Sequence, residues 1–369
     1  VATPVVQTFL ELVRIDSPTG SELGVARYAA DRLAALGFDV RVDDTAEETG
    51  SNTGNVVATL PGTADGRSIA FSAHMDCVSP CEGVEPVIEE GSVRSAGDTV
   101  LGADDKAGIA AIIEGIAAVI EAGVPRPDVR VVLTVAEEAG LRGAKALAPD
   151  DCRADLCLVL DADGPVGGIV TAAPTHYTFI ARFTGAAAHA GVEPEKGVSA
   201  IEMASAAICR MELGRLDAET TANIGTIRGG TATNVVAPTC VVTGECRSLD
   251  PERVEIVRAS LDAALRGAAD EAGGAVEVTW TLEYRGFRFA DDADELAIVR
   301  SACRSIGVEP RTFATGGGSD GSIFAGHGVR TLVLSSGMTS VHSTDEQIPV
   351  EDIERLASLV GAVLVHAVR

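Results

Sequence analysis

Five short segments of this 369-residue chain concentrate the residue types that bind metal ions or move protons. They are Ser72-Ala-His74-Met-Asp76, Gly102-Ala-Asp104-Asp105-Lys106-Ala-Gly108, Ala136-Glu137-Glu138, Leu160-Asp161-Ala-Asp163-Gly164 and Val341-His342-Ser343-Thr344-Asp345-Glu346. Each alone has an ordinary explanation. A histidine at a strand end is often a hydrogen-bonded structural residue. Paired acids such as Glu137–Glu138 and Asp104–Asp105 suit helix starts, where the N-terminal dipole favours negative charge. Asp161 and Asp163 beside Gly164 suit a turn. Taken together, so many carboxylates at one edge of a sheet repel one another unless cations neutralise them. Two histidines with several carboxylates suit zinc or a similar divalent ion, and too few neutral oxygen donors accompany them for a dedicated calcium site.

The elements that must position these residues alternate in the first third of the chain. Spacing of apolar residues predicts a helix over Ser21–Leu36, stopped by Gly37, then strands at Asn55–Leu60 and Ser68–Ala73. An almost wholly apolar helix is expected over Lys106–Ala122, followed by a strand at Val129–Val135, a short helix over Leu141–Leu147 and a strand at Leu156–Leu160. Apolar strands with interleaved helices predict an α/β sandwich with a mainly parallel central sheet, and the five segments fall just after its strands, where open sheets of this kind bind ligands.

The rhythm changes in the middle third. Strands are expected at Tyr177–Phe183, Ala222–Ile227, Val235–Arg247 and Ala275–Glu283, with helices at Val198–Met211 and Pro251–Ala272. The order βαββαβ predicts a separate α+β, ferredoxin-like domain. From about Asp291 the α/β pattern resumes, with a helix to Ile306, a strand at Val329–Leu334 and a last helix over Val350–Val368. The expected organisation is a discontinuous domain of residues 1–174 and 289–369 with an inserted domain of residues 175–288.

Composition narrows the function classes. A net charge of −25 argues against nucleic acid or an anionic membrane as partner. The most apolar run, Ile109–Val124, is broken by Glu114 and Glu121, so no membrane span is expected. Val1–Leu10 does not read as a secretory signal, which leaves a cytoplasmic setting as the expectation. The eight cysteines read as reduced core thiols; Cys77 and Cys81 lack the second pair of a zinc knuckle. Thr315-Gly-Gly-Gly-Ser-Asp-Gly-Ser322 lacks the lysine and spacing of a P-loop.

In order and content, the motifs HxD, ADDKAG, EE, LDxDG and HSxDE resemble those of the co-catalytic zinc exopeptidases and deacylases. That family includes peptidase T, the glutamate carboxypeptidases, succinyl-diaminopimelate desuccinylase and the aminoacylases, and the likeness spans nearly the whole chain. ADDKAG, the stretch Leu160–Pro174 and His189–Val198 are most similar to peptidase T and its near relatives. The resemblance implies two divalent ions, zinc before cobalt or manganese, bridged by Asp104. His74 and Asp161 would complete one site, Glu138 and His342 the other, each ion keeping an open position. Asp163 competes with Asp161, which is preferred because it directly follows the apolar strand. Asp76 would orient the His74 imidazole. Glu137 would act as general base, taking a proton from the bridging water and passing it to the leaving amine.

In the inserted domain the resemblance implies that His189 stabilises the oxyanion in a partner subunit's site, which requires at least a homodimer. Asn234 and Arg247 match substrate-contacting positions, and the backbone N–H groups at Gly317 and Gly318 are candidates to hold a substrate carboxylate or carbonyl. The implied activity is a tripeptide-type aminopeptidase acting on short peptides. Dipeptidase, carboxypeptidase and N-acyl amino acid deacylase activities share the same metal site, and a catalytically silent peptide-binding relative is the alternative outside the enzymes.

Overall fold

The computed structural model describes residues 2–368, which divide into two compact units. One comprises the chain up to Thr171, Phe289–Ala314 and Ser319 onwards; the other comprises Ala172–Arg288 and Thr315–Gly318.

The first unit is built on a sheet whose strands lie in the order Asp39–Val42, Val56–Leu60, Val129–Thr134, Ile69–His74, Leu156–Ala162, Thr331–Ser335 and Gly168–Ala173. Its centre is parallel: Ile69–His74 pairs in that sense with both neighbours, and so does Thr331–Ser335 with Leu156–Ala162. The flanking pairs are antiparallel. Ile69–His74 is buried along its whole length, as expected of a central strand covered on both faces.

The helix Ala103–Glu121 packs on this sheet and is covered in turn by the helices Pro4–Val13 and Val350–Ala367. Gly115 permits the close crossing, since a Cβ there would lie 2.5 Å from the Ala357 carbonyl oxygen. Glu114, which interrupts the apolar run, accepts from Thr8 Oγ1 at 2.7 Å and pairs with Arg32. Among the described residues no helix is long and apolar enough to cross a membrane.

The second unit has a five-stranded antiparallel sheet in the order Gly214–Arg215, Thr220–Gly229, Thr239–Ser248, Thr175–Thr184, Ala275–Tyr284. The helices Ala200–Cys209 and Pro251–Ala272 close a core of Phe179, Phe183, Met203, Val242, Leu261 and Leu265. Asp250 caps the longer helix by accepting from the N–H groups of Glu252 and Arg253, and Gly273 ends it at φ 71°. The expected order βαββαβ is present, with the short strand Gly214–Arg215 added.

Several boundaries differ from expectation. The strand expected from Val235 begins at Thr239, after Pro238, which has no N–H to give to a ladder. The helix expected from Lys106 begins at Ala103, with non-helical backbone at Asp104 and Asp105. Pro4–Val13 is a helix that was not among the expected elements, although Thr3 at its N-cap, proline in its first turn and buried Val5, Val6, Phe9, Leu12 and Val13 at helical spacing all mark it. A small antiparallel sheet of Pro86–Glu89, Ser92–Ser95 and Gln347–Pro349 was also not foreseen; it ties down the segment that follows His342. Cys209 is exposed and the other seven cysteines are buried, all of them free.

Candidate active site

The central strands deliver His74 and Asp161 to one place. Ser72 is in register with Val159, so the residues two further on, His74 and Asp161, project from the same face of adjacent strands. Asp104 comes from the turn before the long helix. Gly102 holds φ 76° there, and a Cβ would lie 2.9 Å from Cys77 Sγ. The Asp104–Asp105 peptide bond is cis. Glu137 and Glu138 follow the strand Val129–Thr134, and His342 sits in the loop before Gln347–Pro349. Ala136 and His342 adopt φ 49° and 60°, a region sparsely used by residues other than glycine.

The resulting cluster is compact. His74 Nε2 lies 2.8 Å from Asp104 Oδ1 and 3.6 Å from Asp161 Oδ1. His342 Nε2 lies 3.1 Å from Asp104 Oδ2 and 2.9 Å from Glu138 Oε1. The two oxygens of Asp104 therefore face different histidines. Candidate ligand atoms fall within 4.8 Å of one another in the sets His74–Asp104–Asp161, Asp104–Glu138–His342 and His74–Glu137–Glu138. Asp163, which competed with Asp161, belongs to none of these and is exposed. Cys77 and Cys81 join no such set among the described residues.

The electrostatics are those of crowded, buried acids. Burial raises Glu137 well above the usual carboxylate range, and the charge of Asp161 adds to this against the opposing pull of His74. Burial likewise lifts Glu138 to about 7 and Asp161 to about 6. For Asp104, hydrogen bonds from His342 and His74 outweigh the effect of burial and hold it below its ordinary value. Burial pushes His74 down, but its bonds to Asp104, Asp161 and Asp76 prevail and raise it well above the usual imidazole value. The hydrogen bond to Asp104 lifts His342 to about 9.

The donor set fits a pair of divalent cations. Glu138 Oε1 is buried and, although close to His342 Nε2, lacks a geometrically formed hydrogen bond, as expected of an oxygen aimed at a shared ion. Asp104, Glu137, Glu138 and Asp161 each carry a negative charge when ionised, and two divalent cations offset them.

Supporting contacts fix the segment of Glu137 and Glu138. Val135 N–H donates to Asn55 Oδ1 at 3.1 Å and Ala136 N–H to Glu22 Oε1 at 3.1 Å. Asp76 accepts from the N–H groups of Glu137 and Glu138 at 3.0 and 3.2 Å and from Thr19 Oγ1 at 2.8 Å. His74 Nδ1 lies 2.9 Å from the Asp76 backbone oxygen and 3.5 Å from its carboxylate. Asp76 thus meets the imidazole mainly through its main chain, while its carboxylate organises the glutamates. Glu22, Asn55 and Thr19 carried no recognisable signal in the sequence, because each acts on a group distant along the chain, Glu22 and Asn55 on backbone N–H groups and Thr19 on the Asp76 carboxylate.

The remaining expected residues lie in the second unit. His189 is exposed, with Nδ1 accepting from Gly191 N–H at 3.2 Å, and Ala190 N–H donates to the Asn234 carbonyl at 2.9 Å. Arg247 Nη2 lies 2.8 Å from Glu245 Oε2, and its Nη1 lies 3.4 Å from both Tyr284 Oη and the Gly316 carbonyl. The same Glu245 oxygen lies 2.8 Å from His176 Nε2. Gly318 packs on Tyr284, where a Cβ would lie 2.2 Å from the ring, while Gly317 has only Thr315 Oγ1 within 4 Å of such a Cβ.

A mainly parallel sheet with two histidines and four acids gathered beside the ends of its central strands is the architecture of a metal-dependent hydrolase. The chain belongs to the peptidase family M20/M25/M40, whose model matches residues 70–366. The aminopeptidase PepT from Bacillus cereus is similar in structure, with a TM-score of 0.93 and 43% identity over 99% of this chain and 98% of that one. A tripeptidase from Staphylococcus aureus superposes with a TM-score of 0.94 at 39% identity, over 98% and 97% of the two chains. The uncharacterised Bacillus subtilis protein YqjE is 43% identical over 363 residues, 98% of each chain.

Proposed function

We propose that this enzyme is a tripeptide-type aminopeptidase that hydrolyses short peptides with two divalent metal ions, zinc by preference. The observation that carries the reading is Asp104, whose two carboxylate oxygens face His74 and His342 separately. The names borne by the Bacillus cereus and Staphylococcus aureus proteins support the substrate class.

His74, Asp161 and Asp104 would hold one ion, and Glu138, His342 and Asp104 the other. When bound, the ions acidify the attacking water and polarise the scissile carbonyl. Glu137 moves the proton. Its carboxylate takes one from the water and returns it to the leaving nitrogen, a task suited to a group whose burial raises its proton affinity. Asp76 holds the Glu137 backbone and the His74 ring in register.

The inserted unit, with His189, Asn234, Arg247, Gly317 and Gly318, serves in this reading as lid and dimerisation domain. His189 would stabilise the oxyanion, while Asn234, Arg247 and the N–H groups of the glycine turn hold the substrate. A homodimer is supported by the strand Thr220–Gly229. Among the described residues its outer side is engaged only at Thr220, Thr221 and Ala222, leaving an open edge from there to Gly229 onto which a second copy can add its own strand.

The test is metal analysis combined with mass spectrometry of products from di-, tri- and N-acylated peptides. Two ions per chain and release of the N-terminal residue from tripeptides are expected. Release of C-terminal residues, or deacylation alone, would replace the aminopeptidase reading; no bound metal and no cleavage would remove the catalytic one. Glu137→Gln should keep its metals while turnover falls roughly a hundred- to ten-thousandfold.

A further inference from the structure

We propose that Glu346 is a positioning residue of the metal centre, holding the backbone that presents Asp104. The inference rests on the two-metal reading above and assigns a task to a residue which that reading leaves unused.

Glu346 is 2% exposed. Its Oε2 accepts from the Gly102 N–H at 2.7 Å and its Oε1 from the Asp104 N–H at 2.9 Å. These donors need a partner. Gly102 holds φ 76° and Asp104 has φ −81° and ψ 102°, so the chain is not yet helical at this point, and N–H groups at a helix start have no carbonyl one turn back to accept them. A buried carboxylate makes charge-assisted bonds to both.

The location of Glu346 gives the contact its consequence. It lies four residues after His342, and its own N–H donates to Ser343 O at 3.1 Å. The next residues, Gln347–Pro349, pair with Ser92–Arg94. One carboxylate therefore couples the loop of one histidine to the turn of the acid shared by both sites. Asp76 does the same for the other histidine: it follows His74 by two residues and grips the N–H groups of Glu137 and Glu138. Each histidine segment thus carries an acid that fixes the main chain of a carboxylate segment. If the backbone at Asp104 rotates, both of its oxygens move, and with them the spacing to His74 and His342.

The competing possibility is that Glu346 only caps the long helix and contributes nothing but stability. Glu346→Gln separates the two, because it keeps the volume and one acceptor oxygen but sets an amide NH2 against the second N–H. The full-length protein, stripped with chelator, is titrated with Zn2+ against a chromophoric chelator, alongside wild type and Asp345→Asn, an exposed neighbour. Melting of the stripped proteins is measured in parallel. Glu346→Gln should bind Zn2+ roughly 10- to 100-fold more weakly, melt close to wild type when stripped, and regain turnover in excess Zn2+; Asp345→Asn should match wild type. Unchanged Zn2+ affinity, with or without a lower melting temperature, overturns the proposal. If Glu346→Gln does not fold, Glu346→Asp, which keeps the charge but shortens the reach, is held to the same criterion. Wild-type protein that takes up no Zn2+ would instead overturn the two-metal reading, an outcome visible before any variant is compared.

Discussion

Asp76 and Glu137 are joined through the main chain: a carboxylate oxygen of Asp76 accepts the Glu137 N–H at 3.0 Å. The other oxygen accepts from Glu138 at 3.2 Å. The proposed base and the adjacent proposed ligand Glu138 are therefore held by one buried acid, which the nearby His74 ring and a hydrogen bond from Thr19 hold below its ordinary value against the cost of burial. Asp76→Asn replaces one acceptor by a donor that faces an N–H. Turnover should fall roughly 10- to 100-fold while the protein still folds and binds metal. Steady-state kinetics beside metal analysis would check this, and wild-type turnover in Asp76→Asn would remove Asp76 from the machinery.

How much of this was legible in the sequence depends on how each residue acts. Element order predicted that the five segments holding His74, Asp104, Glu138, Asp161 and His342 lie at one edge of the sheet, the resemblance singled out these five residues, and the described geometry brings them together. The apolar runs Ile69–Ala73 and Leu156–Leu160 announced the parallel centre through burial on both faces. Glu22 and Asn55 were invisible because they bind backbone N–H groups more than 75 positions away in the chain, as the bonds Ala136 to Glu22 and Val135 to Asn55 illustrate. No side-chain pattern encodes such a contact. The strand at Thr239 was anticipated too early because apolar Val235 and Val236 match a strand pattern, whereas Pro238 breaks the ladder.

Gly318 and Tyr284 make a second testable contact. A methyl group at Gly318 would sit 2.2 Å from the Tyr284 ring, which is buried beside Arg247 and 5.2 Å, centroid to centroid, from His176. Gly318→Ala should displace the tyrosine and disturb Arg247, raising KM for short peptides by about tenfold, equivalent to about 1.4 kcal/mol, with a smaller effect on kcat. Gly316→Ala is the control, since a Cβ there meets nothing within 4 Å. Equal kinetics in the two variants would separate this turn from substrate binding.

The open edge of Thr220–Gly229 carries exposed apolar side chains. Ile227 is 47% exposed, and Ile201, which contacts the adjacent Gly229 and Gly230, is 39% exposed. Ile227 is in register with Val242, a core residue, so it stands on the helix-covered face of the sheet. A second copy pairing at this edge would bury both isoleucines. Ile201→Glu and Ile227→Glu should each shift the protein from dimer to monomer in size-exclusion chromatography with light scattering. Wild-type protein that is monomeric at micromolar concentration would end the dimer proposal.

The acid cluster also predicts how the metal-stripped enzyme responds to pH. Burial lifts Glu138 from 4.5 to about 7 and Asp161 from 3.8 to about 6, and the bond to Asp104 lifts His342 from 6.5 to about 9. In each case the folded protein keeps a proton that the unfolded chain has already released, so unfolding releases protons and rising pH favours it. The stabilisation is complete below each unfolded value and is lost as pH climbs through the folded one, from about 4 to 7 for the carboxyls and on to about 9 for His342. Asp104, held below its ordinary value, acts in the opposite sense, but only in acid below that value. Stripped protein should therefore melt several degrees lower at pH 8 than at pH 5. Zn2+ binds the deprotonated ligands, so the gain in melting temperature on loading should be larger at pH 8. The excess of acids across the surface also weakens the fold as pH rises, which makes the loaded-minus-stripped difference the diagnostic quantity. A difference that is equal at the two pH values, or larger at pH 5, would mean that these groups do not bind the ion.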